Sequence, residues 1–165
     1  MKTMHLIHYG CPHWVPSHFV FPENLPTFVK PKGGLWASPV DSNYGWKEWC
    51  EAEDFHTESL KHWFVFEYTG RIMTIDTRKD LEKMCFRQMR LYPNRRGIPQ
   101  MIQDLRFPDF EKLSKKIDAI YLTEAGQWKT RMMMGPNLYG WDCECVLILN
   151  PAGVIRELGS SADET

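Results

Sequence analysis

Polar and apolar positions alternate through Met4-His5-Leu6-Ile7-His8-Tyr9 closely enough to predict a strand over 4–9, which Gly10-Cys11-Pro12 ends, leaving His8 at the strand's mouth. Five prolines from Pro12 to Pro31 leave no sustained period, so an irregular excursion is expected there, anchored by Phe19-Val20-Phe21; loops of that length are commonly functional or lid-like. Gly33-Gly34 then opens the short apolar run Leu35-Trp36-Ala37, read as a strand whose paired glycines let the backbone approach something closely. Asp41, Ser42 and Asn43 are helix-start residues, and the helical stretch they predict carries Trp46 and Trp49 three apart on one face.

Farther along, His62 to Tyr68 reads as an aromatic-rich strand and Arg71 to Ile75 as a second, joined through Thr69-Gly70 as a hairpin. Asp76 or Thr77 caps a helix to about Leu91, with Leu81, Met84, Cys85 and Gln88 at helical spacing. Pro93, Gly97 and Pro99 among Arg90, Arg95, Arg96 and Arg106 make a basic loop, for which a solvated surface outweighs a phosphate contact. Pro108 opens a short helix to Lys116 that feeds a strand over Ile117 to Leu122, while Thr123 to Met133 is ambiguous. Cys143 to Leu149 is the clearest strand, closed by Asn150-Pro151 and followed by a strand at Val154 to Leu158 and a frayed tail over 159–165. Short strands outnumber helices without βαβ alternation, so the expected class is α+β: one domain over 1–158, with compact mixed or antiparallel sheets and few flanking helices.

Composition sharpens this in three places. With 20 basic and 21 acidic residues the formal charge is −1, so no general field attracts nucleic acid and only a local strip remains for it. Five cysteines without a CxxC pair, in a chain that opens with no apolar signal segment, fit a reducing cytoplasm. Seven tryptophans are many for 165 residues. Trp36, Tyr44, Trp46 and Trp49 each read singly as core, but their crowding around a strand end, a polar turn and a helix start makes a slot for a flat, cationic ligand.

In chain order, a histidine closes the first strand, an aromatic strand leads to a helix, and Asp142-x-Glu144 enters a late apolar strand. This order resembles the ADP-ribosyltransferase fold, in its diphtheria-toxin-like and poly(ADP-ribose) polymerase-like branch. That branch begins with a Leu-x-His-Gly strand, matched by Leu6-Ile7-His8 with Tyr9 inserted before Gly10. It continues with a Gly-x-Gly-Ile-Tyr-Phe-like strand and a Ser-containing turn, to which Gly33-Gly34-Leu35-Trp36-Ala37 through Ser42 to Cys50 is similar, Trp36 replacing the tyrosine. It ends with a glutamate at the start of an apolar strand, as in Glu144-Cys145-Val146-Leu147-Ile148.

The resemblance implies an enzyme that uses NAD, breaks the nicotinamide–ribose bond and passes ADP-ribose to a protein or nucleic-acid acceptor, or to water, as a stand-alone effector, toxin or phage-encoded modifier would. Positive charge develops on the ribose in such a cleavage, which a nearby carboxylate stabilises. Glu144 takes that role by implication and binds a ribose hydroxyl; Asp142, two residues away on the same strand face, assists the acceptor or supports the site. His8 hydrogen-bonds the adenosine ribose, Trp36 with Tyr44 or Trp46 sandwiches the nicotinamide, and Ser42 binds its carboxamide unless it is a plain helix cap. The backbone of Tyr9, in place of Gly10, holds the carboxamide's other side.

Three other readings compete. His5, His8, Cys11, His13 and His18 crowd the N-terminus as zinc ligands would, although no second cluster accompanies them. A non-catalytic module could bind single-stranded nucleic acid or a nucleotide through the aromatic slot and an Arg95-Arg96 strip. A cysteine hydrolase built on Cys143 or Cys145 has the least support, since no paired histidine is identifiable.

Overall fold

The structure, a computed structural model, describes residues 1–26, 28–90, 96–97, 104–133 and 135–164, with the backbone alone at Arg90, Asp104, Ile155 and Glu164. The strands are β1 (Lys2–Tyr9), β2 (Leu35–Pro39), β3 (Trp63–Gly70), β4 (Ile72–Ile75), β5 (Phe86–Arg90), β6 (Asp104–Pro108), β7 (Ala119–Leu122), β8 (Cys145–Ile148) and β9 (Val154–Ser160). The helices are α1 (Trp46–Glu53), α2 (Arg78–Glu82), α3 (Phe110–Leu113) and α4 (Glu124–Thr130).

Seven strands make one mixed sheet in the order β4-β7-β8-β2-β1-β3-β9, and β5 with β6 forms a separate antiparallel ribbon. Only the β4–β7 pair in the large sheet is parallel. The class is therefore α+β, with short helices at the margins of a sheet.

Hydrophobic pattern explains which strands lie where. In β3 every second residue is buried, and Phe64, Phe66 and Tyr68 are fully so, each ring contributing about 2 kcal/mol through burial. In β8 all four residues are buried, because β7 and β2 flank it and both faces are covered; hence its unbroken apolar run. Leu147, Cys145, Leu122 and Ile120 belong to one core with Phe110 and Trp141, while Val146, Ile148 and Ala119 belong to another with Leu6, Phe64 and Phe66.

The close approach expected at Gly33-Gly34 is to the excursion and to β8. Both glycines have positive φ (80° and 74°), and an added Cβ would lie 2.6 Å from the Val20 carbonyl oxygen at Gly33 and 2.6 Å from Leu147 Cδ1 at Gly34. The Gly34 amide also donates to the Val20 carbonyl at 2.8 Å, stitching the proline-rich segment to the start of β2.

Several elements differ from expectation, two of them through long-range partners. β3 and β4 are not a hairpin: β4 runs parallel to β7. The cause sits at the bend, where the Arg71 amide and guanidinium donate to both Asp118 carboxylate oxygens at 2.8–2.9 Å, sending the chain towards β7. Thr77 does cap a helix, with Asp80 returning a bond to its amide, but α2 stops at Glu82 and the chain becomes β5. Arg106 over the Phe86 ring (5.2 Å) and Arg87 over Phe107 (5.7 Å) tie β5 to β6 across the ribbon. Pro108 ends β6 instead of opening a helix, and Asp109 caps α3. The ambiguous stretch after Leu122 is α4, capped by Thr123. Residues 159 and 160 complete β9 and Ser161–Glu164 forms a 3-10 turn, so the backbone that was expected to fray continues the fold to 164.

Asp118 joins four strand ends. Besides Arg71, its carbonyl accepts from Tyr68 Oη at 3.0 Å and from the Leu149 and Asn150 amides, and its carboxylate accepts from Asn150 Nδ2. The Arg71 hydrogen bonds hold its carboxyl down at about 2, against the opposing effect of burial. Asp118→Ala is expected to lower stability by about 2 kcal/mol, read by urea unfolding at neutral pH. Because the folded carboxyl is depressed, that stabilisation is present above the ordinary carboxylate range and is lost as pH falls towards about 2. The gap between wild type and variant should therefore narrow on acidification below about pH 4.

Candidate active site

The sheet parts between β1 and β2. Their register holds only at Leu6–Pro39 and Ile7–Ser38; beyond it β1 stays with β3, while Leu35, Trp36 and Ala37 stay with β8. A hollow of about 300 Å³ lies at the parting, lined by His8 and Tyr9 from β1, Trp36 and Ser38 from β2, Trp46 from α1, and Trp141. Trp36 meets Trp141 edge-on with centroids 4.7 Å apart, and Trp46 stacks on Trp49 at 5.1 Å, so two aromatic pairs stiffen the walls. Trp141 Nε1 donates to the Val29 carbonyl at 2.9 Å, pinning the excursion beside the hollow.

Asp41, Ser42 and Asn43 precede α1 but do not cap it. Gly45 occupies that position, its amide donating to Glu48 Oε2 at 2.9 Å, and Ser38 Oγ accepts from the Trp46 amide at 2.9 Å. A hydroxyl from β2 thus does part of a cap's work, and Ser42 is released for another contact.

His8 bridges the parting: its Nδ1 lies 2.6 Å from the Trp36 carbonyl oxygen. Since a carbonyl only accepts, Nδ1 carries the proton. Burial lowers the imidazole pKa, the carbonyl bond opposing it, so near neutral pH the ring is uncharged and Nε2 is an acceptor. Tyr9 is pushed up to about 12 by burial and then by Glu48 and Glu51, so it keeps its hydroxyl proton.

Asp142 lines this hollow with Lys30. It accepts from Arg131 Nη2 at 2.9 Å and lies 3.8 Å from Lys30 Nζ, which in turn sits 5.7 Å from the centre of the Trp36 ring. Glu144 faces elsewhere. Together with Asp41, Asn43, Tyr121, Thr123 and Trp128 it lines a second, more open hollow. The expected shared face of Asp142 and Glu144 is thus corrected: β8 begins only at Cys145, so both residues lie in the irregular segment before it, where strand alternation does not operate.

The Glu144 carboxylate is held at both oxygens. Ser42 Oγ donates to Oε2 at 2.7 Å and Tyr121 Oη donates to Oε1. Burial, then the bond to Glu144, raises the Tyr121 phenol well above its ordinary range, so Tyr121 stays a donor. The backbone of Glu144 is also fixed: its amide donates to the Tyr44 carbonyl at 3.0 Å and its carbonyl accepts from Ser38 Oγ at 3.1 Å. Ser38, a wall of the first hollow, is therefore bonded directly to the residue that faces the second.

Of the residues singled out in sequence, His8, Tyr9, Trp36, Trp46 and Asp142 line the first hollow and Glu144 the second. Ser42 binds the Glu144 carboxylate, Tyr44 contributes its carbonyl, and the Gly10 amide donates to the His62 carbonyl at 2.7 Å. Tyr121 and Lys30 were missed. A lone hydroxyl inside Ala119-Ile120-Tyr121-Leu122 was the available sign for Tyr121; nothing local marked Lys30.

The zinc-type cluster does not gather among the described residues. His5 pairs with Glu67 at 3.4 Å and His13 with Glu157 at 2.8 Å, and among the described residues no group of three or more His, Cys, Asp or Glu is arranged to hold a metal ion. Cys145 is held as a thiol by its hydrogen bond with Cys143 and by burial, which suits a packed strand better than a nucleophile. In the basic strip, Arg95 lies outside the described residues. Among the described residues no helix is long and apolar enough to cross a membrane.

Because folded His8 binds a proton less readily than the unfolded chain does, its contribution works against stability as pH falls through about 6.5. His8→Gln keeps an N–H for the Trp36 carbonyl and removes the titration. Its melting temperature is expected to fall less than the wild type's between about pH 7.5 and about pH 5.5, measured by scanning calorimetry. No protein-family model matches the chain, and neither does any curated protein or solved structure.

Proposed function

We propose that the chain is an NAD-dependent ADP-ribosyltransferase, cleaving the nicotinamide–ribose bond and passing ADP-ribose to a macromolecular acceptor. The observation that carries the reading is Glu144, a carboxylate in an open hollow with each oxygen bonded by a hydroxyl, one Ser38 hydrogen bond away from an aromatic hollow. Three distant segments supply this arrangement, and the strands they belong to or enter, β8, β2 and β1, are consecutive in the sheet.

The residues fit the nicotinamide end of NAD. Flat indoles suit a pyridinium face, the hollow of about 300 Å³ is large enough for a ring and part of a sugar, and the neutral His8 offers Nε2 to a ribose hydroxyl. When bound, NAD supplies an activated glycosidic bond to a good leaving group. For Glu144 to stabilise positive charge developing on the ribose, the sugar must reach from the aromatic hollow into the second one, which Glu144 lines; Ser42 and Tyr121 fix its carboxylate in one orientation there, and Ser38 sets its backbone. Asp142 sits with Lys30 and Arg131 on the aromatic side, so its role in this reading is electrostatic support. Asp41 and Glu124 beside Glu144 make a negative rim, which weighs towards a protein acceptor over a polyanionic nucleic acid.

Two variants test the reading by nicotinamide release. Glu144→Gln removes charge at nearly constant volume and is expected to lower the rate at least about a hundredfold, with melting temperature and NAD binding largely kept. Unchanged turnover would end the proposal. Tyr121→Phe leaves Glu144 charged but held at one oxygen, and kcat is expected to fall about tenfold with KM little changed.

A further inference from the structure

We propose that the aromatic hollow is a seat for a planar organic cation and that Lys30 is its resident occupant, a tethered competitor that an arriving ligand displaces. This rests on the first hollow being the ligand site, and not on any chemistry of Glu144.

Lys30 stands where such a ligand's charge would stand. Its ammonium is 5.7 Å from the centre of the Trp36 ring, within the range at which an indole face attracts a cation, and 3.8 Å from Asp142 Oδ2. An indole face and a carboxylate converging on one point form a recognition element for a positive charge. Most of the exposed wall is apolar, with Trp46 and Trp141 adding flat rings, so a planar cation gains contact area that a lysine stem cannot. Lys30 is also free to leave. Its side chain is 42% exposed, its ion pair with Asp142 is long, and Arg131 at 2.9 Å keeps Asp142 compensated when the ammonium swings away. Its backbone is not free: the neighbouring Val29 carbonyl is held by Trp141 Nε1, so the ammonium stays within reach of the seat. Asp142 thereby becomes the ligand's counter-ion.

Equilibrium binding to the full chain tests this with two probes that share a ring: 1-methylnicotinamide, a fixed pyridinium, and neutral nicotinamide, both read by quenching of tryptophan emission. Lys30→Met keeps the stem and removes the charge. It is expected to tighten 1-methylnicotinamide by at least about threefold while changing nicotinamide by less than about twofold. Asp142→Asn is expected to weaken the cation by about tenfold and to leave the neutral probe little changed. Equal or weaker cation binding by Lys30→Met, an equal gain for nicotinamide, or no cation binding by that variant would overturn the proposal. Since no turnover is involved, failure here is distinguishable from failure of the transferase reading, which shows only in nicotinamide release by the Glu144 and Tyr121 variants.

Discussion

The hydrogen bond between His8 and the Trp36 carbonyl is the constraint on which the site depends. Where two strands of a continuous sheet part, backbone groups that faced each other lose their partners, and a buried orphan carbonyl costs as much as a broken hydrogen bond. β1 and β2 part after Ile7–Ser38, and the imidazole reaches across to the carbonyl that lies beyond the last pair. A side chain thus replaces a ladder bond, and the Trp36 carbonyl keeps a partner where the sheet opens. The same bond fixes the His8 tautomer, so the element that permits the hollow also sets what the hollow presents to a ligand.

Charge is divided between the two hollows in a way that suits different tasks. The aromatic one contains Asp142 already compensated by Arg131 and Lys30; the open one contains Glu144, whose carboxylate partners among the described residues are hydroxyls. A carboxylate with one close and one distant, exposed cationic partner suits the recognition of a positive charge that can take the distant partner's place. One held by neutral donors keeps its charge available for something that becomes positive only briefly. Ser38 links them, accepting from the Trp46 amide and donating to the Glu144 carbonyl, so α1, β2 and the approach to β8 cannot shift independently.

Much of the architecture was legible because its causes are local. β3 and β8 announce themselves by alternation and by an unbroken apolar run, and the strand-rich pattern correctly gave an α+β class. The failures were at points decided by partners far off in the chain. Arg71 turns away from β3 because of Asp118, 47 residues later, and β5 overrides a helical spacing because Phe86 and Arg87 find Arg106 and Phe107. The same division runs through the site. His8 and Trp36 could be placed by strand ends and glycines, whereas Tyr121 looks like core inside its apolar run until Glu144 is folded against it. Asp142 and Glu144 share a face by two-residue periodicity alone, and the strand that would enforce that periodicity begins only at Cys145.

The proline-rich segment before β2 is anchored at several points, among them the Gly34 amide on Val20, Asn24 on Asp109 and Glu111, and the indole of Trp141 on Val29. Such anchoring turns a surface lysine into a local reagent of fixed effective concentration, on the millimolar scale typical of short tethers. Dilution of the protein leaves that self-interaction untouched, so in the proposed competition the threshold for a cationic ligand does not vary with protein concentration, while salt, by screening the long and exposed Lys30–Asp142 pair, lowers it.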